Sequence, residues 1–261
     1  MKNRVALTVA AAVSALLPSF ALAEGTSCAL PTYVVPDGHV VTSTIPAGAT
    51  HFFYYLNNLG AANSRSYVFE VRNATNIWNQ GFTVNAFSDL GACAVPLAPA
   101  PTDVTTPDPE QHSGSGRRLA FNHPPGGTGV EFSVANTSGV PLTYEFSISD
   151  TTQFSPTWST NGTYATYWSF FNTTGSAVSV TLSLTTTAGA AAGSTTLTVP
   201  ANRTMATNTV ALGTGANLSG TATLTVLGSV GSILVEADVA NFSISPPYIQ
   251  PVKFQAVRDK R

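Results

Sequence analysis

The chain has 261 residues, of which 43% are hydrophobic and only 9% charged, and its formal net charge is −2. The weak acidic balance excludes a protein that binds nucleic acid through a basic face, and regularly spaced apolar residues exclude a disordered chain. The charged fraction is far below the roughly 25% of ordinary soluble domains, so serine and threonine must supply most of the polar surface.

The first 23 residues have the features of a secretory signal peptide. Lys2 and Arg4 give a positive start, and an apolar run follows at residues 5–17. Residues 21–23 (ALA) then match the small-x-small pattern of a signal-peptidase site. The run is short for a bilayer span, so we expect cleavage before Glu24 and no transmembrane anchor. No cysteine follows the cleavage point directly, so we expect no lipid anchor and a secreted, periplasmic or cell-surface protein.

The two cysteines, Cys28 and Cys93, lie in the first half of the mature chain. In an oxidising compartment such a pair is most simply a disulfide. Closing a loop of about 65 residues stabilises a fold by about 4 kcal/mol on the chain-entropy model. Neither cysteine has a second Cys or a His within four residues, as a metal site on cysteines would need. We therefore predict a disulfide and no cofactor.

Period-two alternation of apolar and polar residues dominates the mature chain and is typical of antiparallel strands with one solvated face. It is clearest at residues 67–72, 142–149 and 178–185. Residues 45–56 are predicted to form a strand, a turn around residues 46–48 and a second strand. Further strands are predicted at residues 81–87, 130–135, 164–172, 195–199, 205–212, 221–227 and 232–243. Turn residues separate these runs at intervals of about 8–12 residues. The sequence therefore predicts an all-β protein built of antiparallel β-sandwiches.

A shift in composition predicts two domains. Residues 24–150, with both cysteines and all four histidines, form the first. Residues 151–163 have the composition of a polar linker, and residues 164–250 form a second, threonine-rich domain. Residues 251–261 follow as a basic tail. A single large sandwich is the alternative.

The second half is almost free of charge. From residue 151 to residue 250 the charged residues are Arg203, Glu236 and Asp238, and 34 of the 100 residues are Ser or Thr. Threonine at this density favours strands over helices. Charged side chains on edge strands normally block edge-to-edge pairing. Assembly with other chains, with strand addition as one mode, is therefore a hypothesis for this half.

Residues 96–116 are rich in proline and carry no strand pattern, which predicts a functional loop or a mobile excursion. Asp103, Asp108 and Glu110, with His112 close by, could gather oxygen ligands around Ca²⁺. Their spacing matches no EF-hand, so a solvated acidic loop is the alternative.

Two stretches resemble known modules. Residues 43–55 (STIPAGATHFFYY) and 142–148 (LTYEFSI) are similar to the bacterial pre-peptidase C-terminal type of β-sandwich. Residues 171–175 (FNTTG), 178–184 (VSVTLSL) and 199–202 (VPAN) resemble immunoglobulin- or fibronectin-like modules of bacterial surface proteins. The resemblance implies an extracellular accessory or structural role, and it carries no site residues.

Aromatic residues cluster in both halves, and exposed rings are one way to bind sugars. Trp78, Trp158 and Trp168 are the candidates for such a sugar platform. The alternative is that the rings fill the cores and the contact between the domains.

A hydrolase would need a nucleophile, a base and an orienting group. The chain has no G-x-S-x-G elbow, and His39, His51, His112 and His123 are interpreted as surface histidines. Sequons such as residues 73–75 and 172–174 are expected by chance in a chain this rich in Asn, Ser and Thr.

We therefore expect an exported, non-enzymatic protein with a structural or adhesive role at or beyond the bacterial cell surface. Its expected partners are other surface or matrix proteins, or further copies of itself. A polysaccharide-binding accessory module is the alternative, and a secreted hydrolase with a scattered triad is a more distant one.

Overall fold

A computed structural model describes residues 24–35, 37–56, 65–73, 81–88, 91–97, 102–104, 116–123 and 129–256. The predicted signal peptide lies outside these residues. Strands are the regular structure of the described chain, which confirms the predicted all-β class. Within the same residues, no helix is long and apolar enough to cross a membrane.

Nine described strands form the N-terminal part, residues 24–150. They are β1 (Thr32–Tyr33), β2 (Val41–Ile45), β3 (Thr50–Leu56), β4 (Arg65–Asn73), β5 (Phe82–Phe87), β6 (Thr102–Val104), β7 (Gly116–His123), β8 (Gly129–Asn136) and β9 (Leu142–Asp150). One sheet has the order β1-β3-β8-β5 and the other has the order β2-β9-β4-β7-β6. The pairing is antiparallel except between β1 and β3. The three residues of β6 lie in the proline-rich stretch, where no strand was predicted.

The inner faces of these two sheets enclose an aromatic core. Phe53 and Phe146 have ring centroids 4.3 Å apart, and Phe69 stacks on Phe132 at 4.5 Å. All four side chains are buried. Aromatic pairs of this kind each contribute about 0.5–1.5 kcal/mol beyond the burial of their area.

Nine further strands form the C-terminal part, residues 151–256. They are β10 (Gln153–Ser159), β11 (Ala165–Asn172), β12 (Val178–Thr186), β13 (Ala191–Val199), β14 (Thr204–Asn208), β15 (Ser219–Leu227), β16 (Ile233–Asn241), β17 (Tyr248–Val252) and β18 (Gln255–Ala256). The sheet orders are β13-β12-β15-β10-β18 and β14-β11-β16-β17. A second hydrophobic cluster lies between these sheets, and its members include Val178, Val180, Leu182 and Leu184, the apolar set of the predicted alternation.

Two further stretches predicted to lack strands contain them. β10 occupies most of the predicted linker, residues 151–163, and pairs with β15. Part of the predicted tail, residues 251–261, belongs to β17 and β18. The connection between the two parts is therefore only residues 151–152. The division into two domains stays a prediction.

Buried hydrogen bonds join the two parts at this junction. The Ser66 hydroxyl in β4 accepts a bond from the backbone N–H of Val226 in β15 at 2.9 Å. In the connecting segment, the Thr151 N–H donates to the Ser66 carbonyl at 2.9 Å, and the Thr151 hydroxyl donates to the Val226 carbonyl at 2.8 Å. All three residues are buried. The outer face of β4, which includes the buried Val68, is therefore covered by the C-terminal part.

The same arrangement of asparagine side-chain hydrogen bonds occurs at the ends of two strands. The Asn172 side-chain amide donates to the carbonyls of Ser176 and Val199, and its oxygen accepts bonds from the backbone N–H and hydroxyl of Thr174. Asn136 repeats this arrangement at the end of β8. The Asn172 side chain is fully buried. The sequon at residues 172–174 therefore stabilises a turn.

Candidate functional site

The predicted sugar platform is wrong for two of its three tryptophans. Trp158 and Trp168 are 0% and 1% exposed, so neither offers a ring face to a ligand. The Trp158 indole N–H donates to the carbonyls of Thr185 and Thr221. Both rings lie in the hydrophobic core of the C-terminal part, as the alternative interpretation of these aromatic residues predicts. Trp78 lies outside the described residues.

The predicted calcium loop falls mostly outside the described chain. The backbone of Asp103 lies in β6, where it pairs with Leu119 of β7. Asp108, Glu110 and His112 are not among the described residues. The calcium site therefore stays a prediction.

The predicted disulfide between Cys28 and Cys93 is confirmed. The two sulfurs and a carboxylate oxygen of Glu131 lie within 4.8 Å of one another. Glu131 is fully buried, and its carboxylate accepts a hydrogen bond from the Gly91 N–H at 2.8 Å. Because the sulfurs are bonded to each other, they cross-link the chain covalently, and the Glu131 carboxylate caps the turn at Gly91.

The described histidines differ in exposure. His39 is exposed, as predicted, but His51 and His123 are buried, so the surface prediction is wrong for these two. The Nδ1 atom of His51 lies 2.9 Å from the Tyr144 hydroxyl. Burial lowers the pKa of His51, and the nearby negative charge of Glu24 opposes that change. The observed partner of His51 is thus a phenol, and this contact does not assemble a serine triad.

Exposed apolar side chains concentrate on one surface of the C-terminal part. This surface is the outer face of the β14-β11-β16-β17 sheet together with the residue that follows β16. Its large apolar members are Tyr167, Phe171, Leu234, Phe242 and Ile249, which are between 37% and 58% exposed. Large exposed apolar side chains gathered on one sheet face make that face a candidate binding site.

Strand register arranges polar and apolar groups in rows across this face. The rows read Asn208–Tyr167–Asp238, Ala206–Ser169–Glu236 and Thr204–Phe171–Leu234. The Tyr167 ring also meets Phe242 edge-on, with centroids 5.6 Å apart. Two apolar ends therefore flank a polar centre. We call this surface the acidic aromatic face.

The polar centre carries two carboxylates that have no partner in the part of the chain that the structure describes. Glu236 and Asp238 are the only acidic residues between residues 151 and 256. Two residues apart on one strand face, their Cα atoms are separated by about 6.6–6.8 Å. Among the described residues, neither carboxylate accepts a hydrogen bond or forms an ion pair. Their negative charge is therefore available to a ligand.

A shallow groove of ≈ 300 Å³ crosses the centre of the face. It is lined by Tyr167, Ser169, Asn208, Glu236 and Asp238, among others. Carboxylates beside aromatic rings suit a cationic group, which gains from both the charge and the ring faces. Rings next to hydrogen-bond acceptors also suit a saccharide.

The sequence contained a signal for this face that the tryptophan hypothesis missed. In β11 the core-facing residues are Trp168 and Phe170, so alternation places Tyr167 and Phe171 on the opposite face. Alternation likewise sets Glu236 away from the core, beside the buried Ala237. The residue types alone did not reveal whether another element covers that face.

No protein-family model matches the chain, and no curated protein matches it either. The resemblances to pre-peptidase C-terminal and immunoglobulin-like modules therefore stay predictions from the residues.

Proposed function

We propose that the protein is exported and acts as a non-enzymatic adhesive protein at or beyond the cell surface. The acidic aromatic face would hold its partner. The observation that carries this proposal is the concentration of exposed rings around two carboxylates that have no partner among the described residues, on an otherwise almost chargeless part. The Cys28–Cys93 disulfide supports export, because such bonds persist in oxidising compartments.

The chemistry of the face favours a cationic surface or matrix protein as the partner. The exposed rings would become buried on binding and would supply most of the affinity, as aromatic anchors do at interfaces. Glu236 and Asp238 would select amines or guanidinium groups and repel acidic polymers. No covalent step is needed, so the proposed role is to bind and retain the partner.

Binding to surface-immobilised polylysine tests this proposal. We expect the full exported chain to bind at low ionic strength and to lose affinity with added salt. Glu236→Gln and Asp238→Asn should each weaken binding about three- to tenfold, as the loss of a charge contact of about 0.7–1.4 kcal/mol implies. Tyr167→Ala should weaken it as well, because the ring adds contact area next to the charge.

Asp37→Asn is the charge-matched control, because Asp37 is an exposed acid in the N-terminal part. It changes the net charge by the same amount as each test variant. Equal losses for Asp37→Asn and Asp238→Asn would mean that net charge, and not this face, governs binding. That result would contradict the proposal.

Saccharide binding is a second candidate, favoured by the exposed rings of Tyr167 and Phe171. These residues lie four apart on β11, or about 13 Å along the strand, with the Ser169–Glu236 row between them. A panel of neutral polysaccharides tests this candidate. Loss of binding in Tyr167→Ala and Phe171→Ala, but not in Tyr33→Ala, would support it. Absence of binding to every polysaccharide would remove it.

A further inference from the structure

β13 is the longest edge strand of the described sheets. It has nine residues, whereas the other edge strands described have two to six. It pairs on one side with β12, and it contains no charged residue and no proline. Charge, proline and short length are the devices that normally keep an edge strand from pairing with another chain.

The middle of β13 has an open edge. Near its start, a Cβ atom added to Gly193 would lie 3.4 Å from the Leu212 carbonyl oxygen, so the segment after β14 covers that end. At its other end, the Val199 carbonyl accepts a bond from Asn172. Between these points, the described chain gives the backbone of residues 194–198 no partner beyond β12. Their outward N–H and C=O groups are thus free to pair.

Hydroxyl side chains line the outer face up to this edge. The rows across β15, β12 and β13 read Thr225–Thr181–Thr196 and Thr223–Ser183–Ser194. The Thr181 and Thr196 hydroxyl oxygens lie 2.8 Å apart, and those of Ser183 and Ser194 lie 3.0 Å apart. Cross-strand hydroxyl pairs are favourable, and they involve no like-charge repulsion when identical residues meet.

We propose that β13 pairs antiparallel with β13 of a second copy across a two-fold axis, so that the two five-stranded sheets become continuous. Pairing centred on Thr196 places this residue against its own symmetry mate and Ser194 against Thr198. A two-fold contact must be self-complementary in this way. The edge of β13 presents backbone N–H and C=O groups and small hydroxyl side chains, but no pocket for a large side chain. A second β13 strand matches these groups.

This contact is independent of the acidic aromatic face, which lies on the other sheet. It would add a second mode of attachment, between copies, to a protein that holds a cationic partner. The two proposals can therefore fail separately, because polylysine binding and self-association are measured on different variants.

Analytical ultracentrifugation of the exported chain over a range of concentrations tests the edge contact. Wild-type protein should show concentration-dependent dimers. Thr196→Lys should weaken association about tenfold or more, because two ammonium groups then meet across the axis. Thr221→Lys is the matched control, since Thr221 is an exposed residue of the same sheet in the central strand β15.

A charge-swap experiment gives the sharpest result. Thr196→Lys and Thr196→Glu should each dimerise poorly alone, whereas an equimolar mixture should recover dimers because opposite charges then face each other. Urea unfolding of each variant checks that it is folded. The proposal is overturned if wild-type protein stays monomeric at every concentration, if Thr221→Lys weakens association as much, or if the mixture recovers nothing.

Discussion

Single polar side chains hold strand ends that backbone pairing leaves open. Asn172 ties the end of β11 to the turn that follows and to the last residue of β13. Asn136 does the same in the N-terminal part, where it reaches the carbonyl of Ile45 at the end of β2. A carboxylate at either position would have no donor for these carbonyls. The asparagine is therefore specified by chemistry as well as by size.

Replacing Asn172 by alanine should destabilise the protein strongly. The change leaves several buried donors and acceptors without partners, at about 1–3 kcal/mol for each such group. We expect a loss of about 3 kcal/mol in the free energy of unfolding, measured by urea denaturation. The exposed Asn161→Ala should change it by less than about 0.5 kcal/mol. Similar losses in both variants would contradict the role given to Asn172.

The buried His51 should make stability depend on pH. Its folded pKa lies below the ordinary 6.5 because burial disfavours the charged ring. The unfolded chain therefore takes up the proton first as the pH falls. The contribution of the neutral ring is complete above pH 6.5 and decreases below it, by at most about 1.4 kcal/mol per pH unit.

Urea denaturation at a series of pH values from about 5 to 8 measures this slope. His51→Gln should flatten the decline of stability below pH 6.5. His39→Gln should leave the decline unchanged, because His39 is exposed. A slope that is the same in His51→Gln and the wild-type protein would assign the pH dependence to other groups.

Among the strands, those with regular alternation of apolar and polar residues were predicted from the sequence, and irregular strands were missed. β12 alternates without interruption and was expected at nearly its observed bounds. β10 was expected to be linker because Pro156 and the Asn161-Gly162 turn interrupt its pattern. The strand accommodates Pro156 where its register with β15 shifts, between Ser155 and Trp158. Proline is tolerated in sheets at such irregularities, and a period-two search cannot find them.

Close strand approach makes Gly220 irreplaceable. Gly220 lies opposite Trp158 in the β10–β15 pair and opposite Thr186 in the β12–β15 pair. A Cβ atom there would overlap the Thr185 carbonyl oxygen, which also accepts the Trp158 indole N–H. Gly220→Ala should therefore cost at least about 2 kcal/mol of unfolding free energy.

Gly175→Ala is the control for this prediction, because a Cβ atom at Gly175 meets nothing within 4 Å. Its effect should stay within about 0.5 kcal/mol. Thermal and urea unfolding of the two variants give the comparison. If Gly220→Ala is as stable as Gly175→Ala, the two strands must have room to separate.

For the whole molecule, the junction was the least predictable region. Composition predicted a polar linker over residues 151–163, but the connection is short and buried, with Thr151 5% and Thr152 1% exposed. A sequence pattern cannot state which outer faces cover each other. For the same reason the sequence could not reveal the candidate binding surface, since alternation placed Tyr167 and Phe171 outward but did not show that the described chain leaves this face uncovered.

An ion pair at the junction should contribute to the stability of the whole chain. Arg65 Nη1 lies 2.6 Å from Asp150 Oδ2, and the guanidinium carbon lies 4.7 Å from the centre of the Phe154 ring in β10. Burial raises the pKa of Asp150, against the opposing effects of its hydrogen bonds and of Arg65. Arg65→Ala leaves this carboxylate buried and unpaired, so we expect a loss of about 3 kcal/mol.

Arg118→Ala gives the comparison, because the Arg118–Glu70 pair also spans 2.6 Å but is more exposed. It should cost no more than about 1 kcal/mol. The double variant Arg65→Ala/Asp150→Asn should recover part of the first loss, since the unpaired charge is gone. No recovery in urea unfolding would show that the arginine acts through packing on Phe154 alone.

The short junction has a mechanical consequence. Only Thr151 and Thr152 lie between β9 and β10. The connection therefore cannot lengthen appreciably when one part is pulled away from the other. Tension applied to the C-terminal part passes directly into β9, which lies between β2 and β4 in its sheet. A pulling force on one part is therefore transmitted to the other part at once, before any strand unfolds.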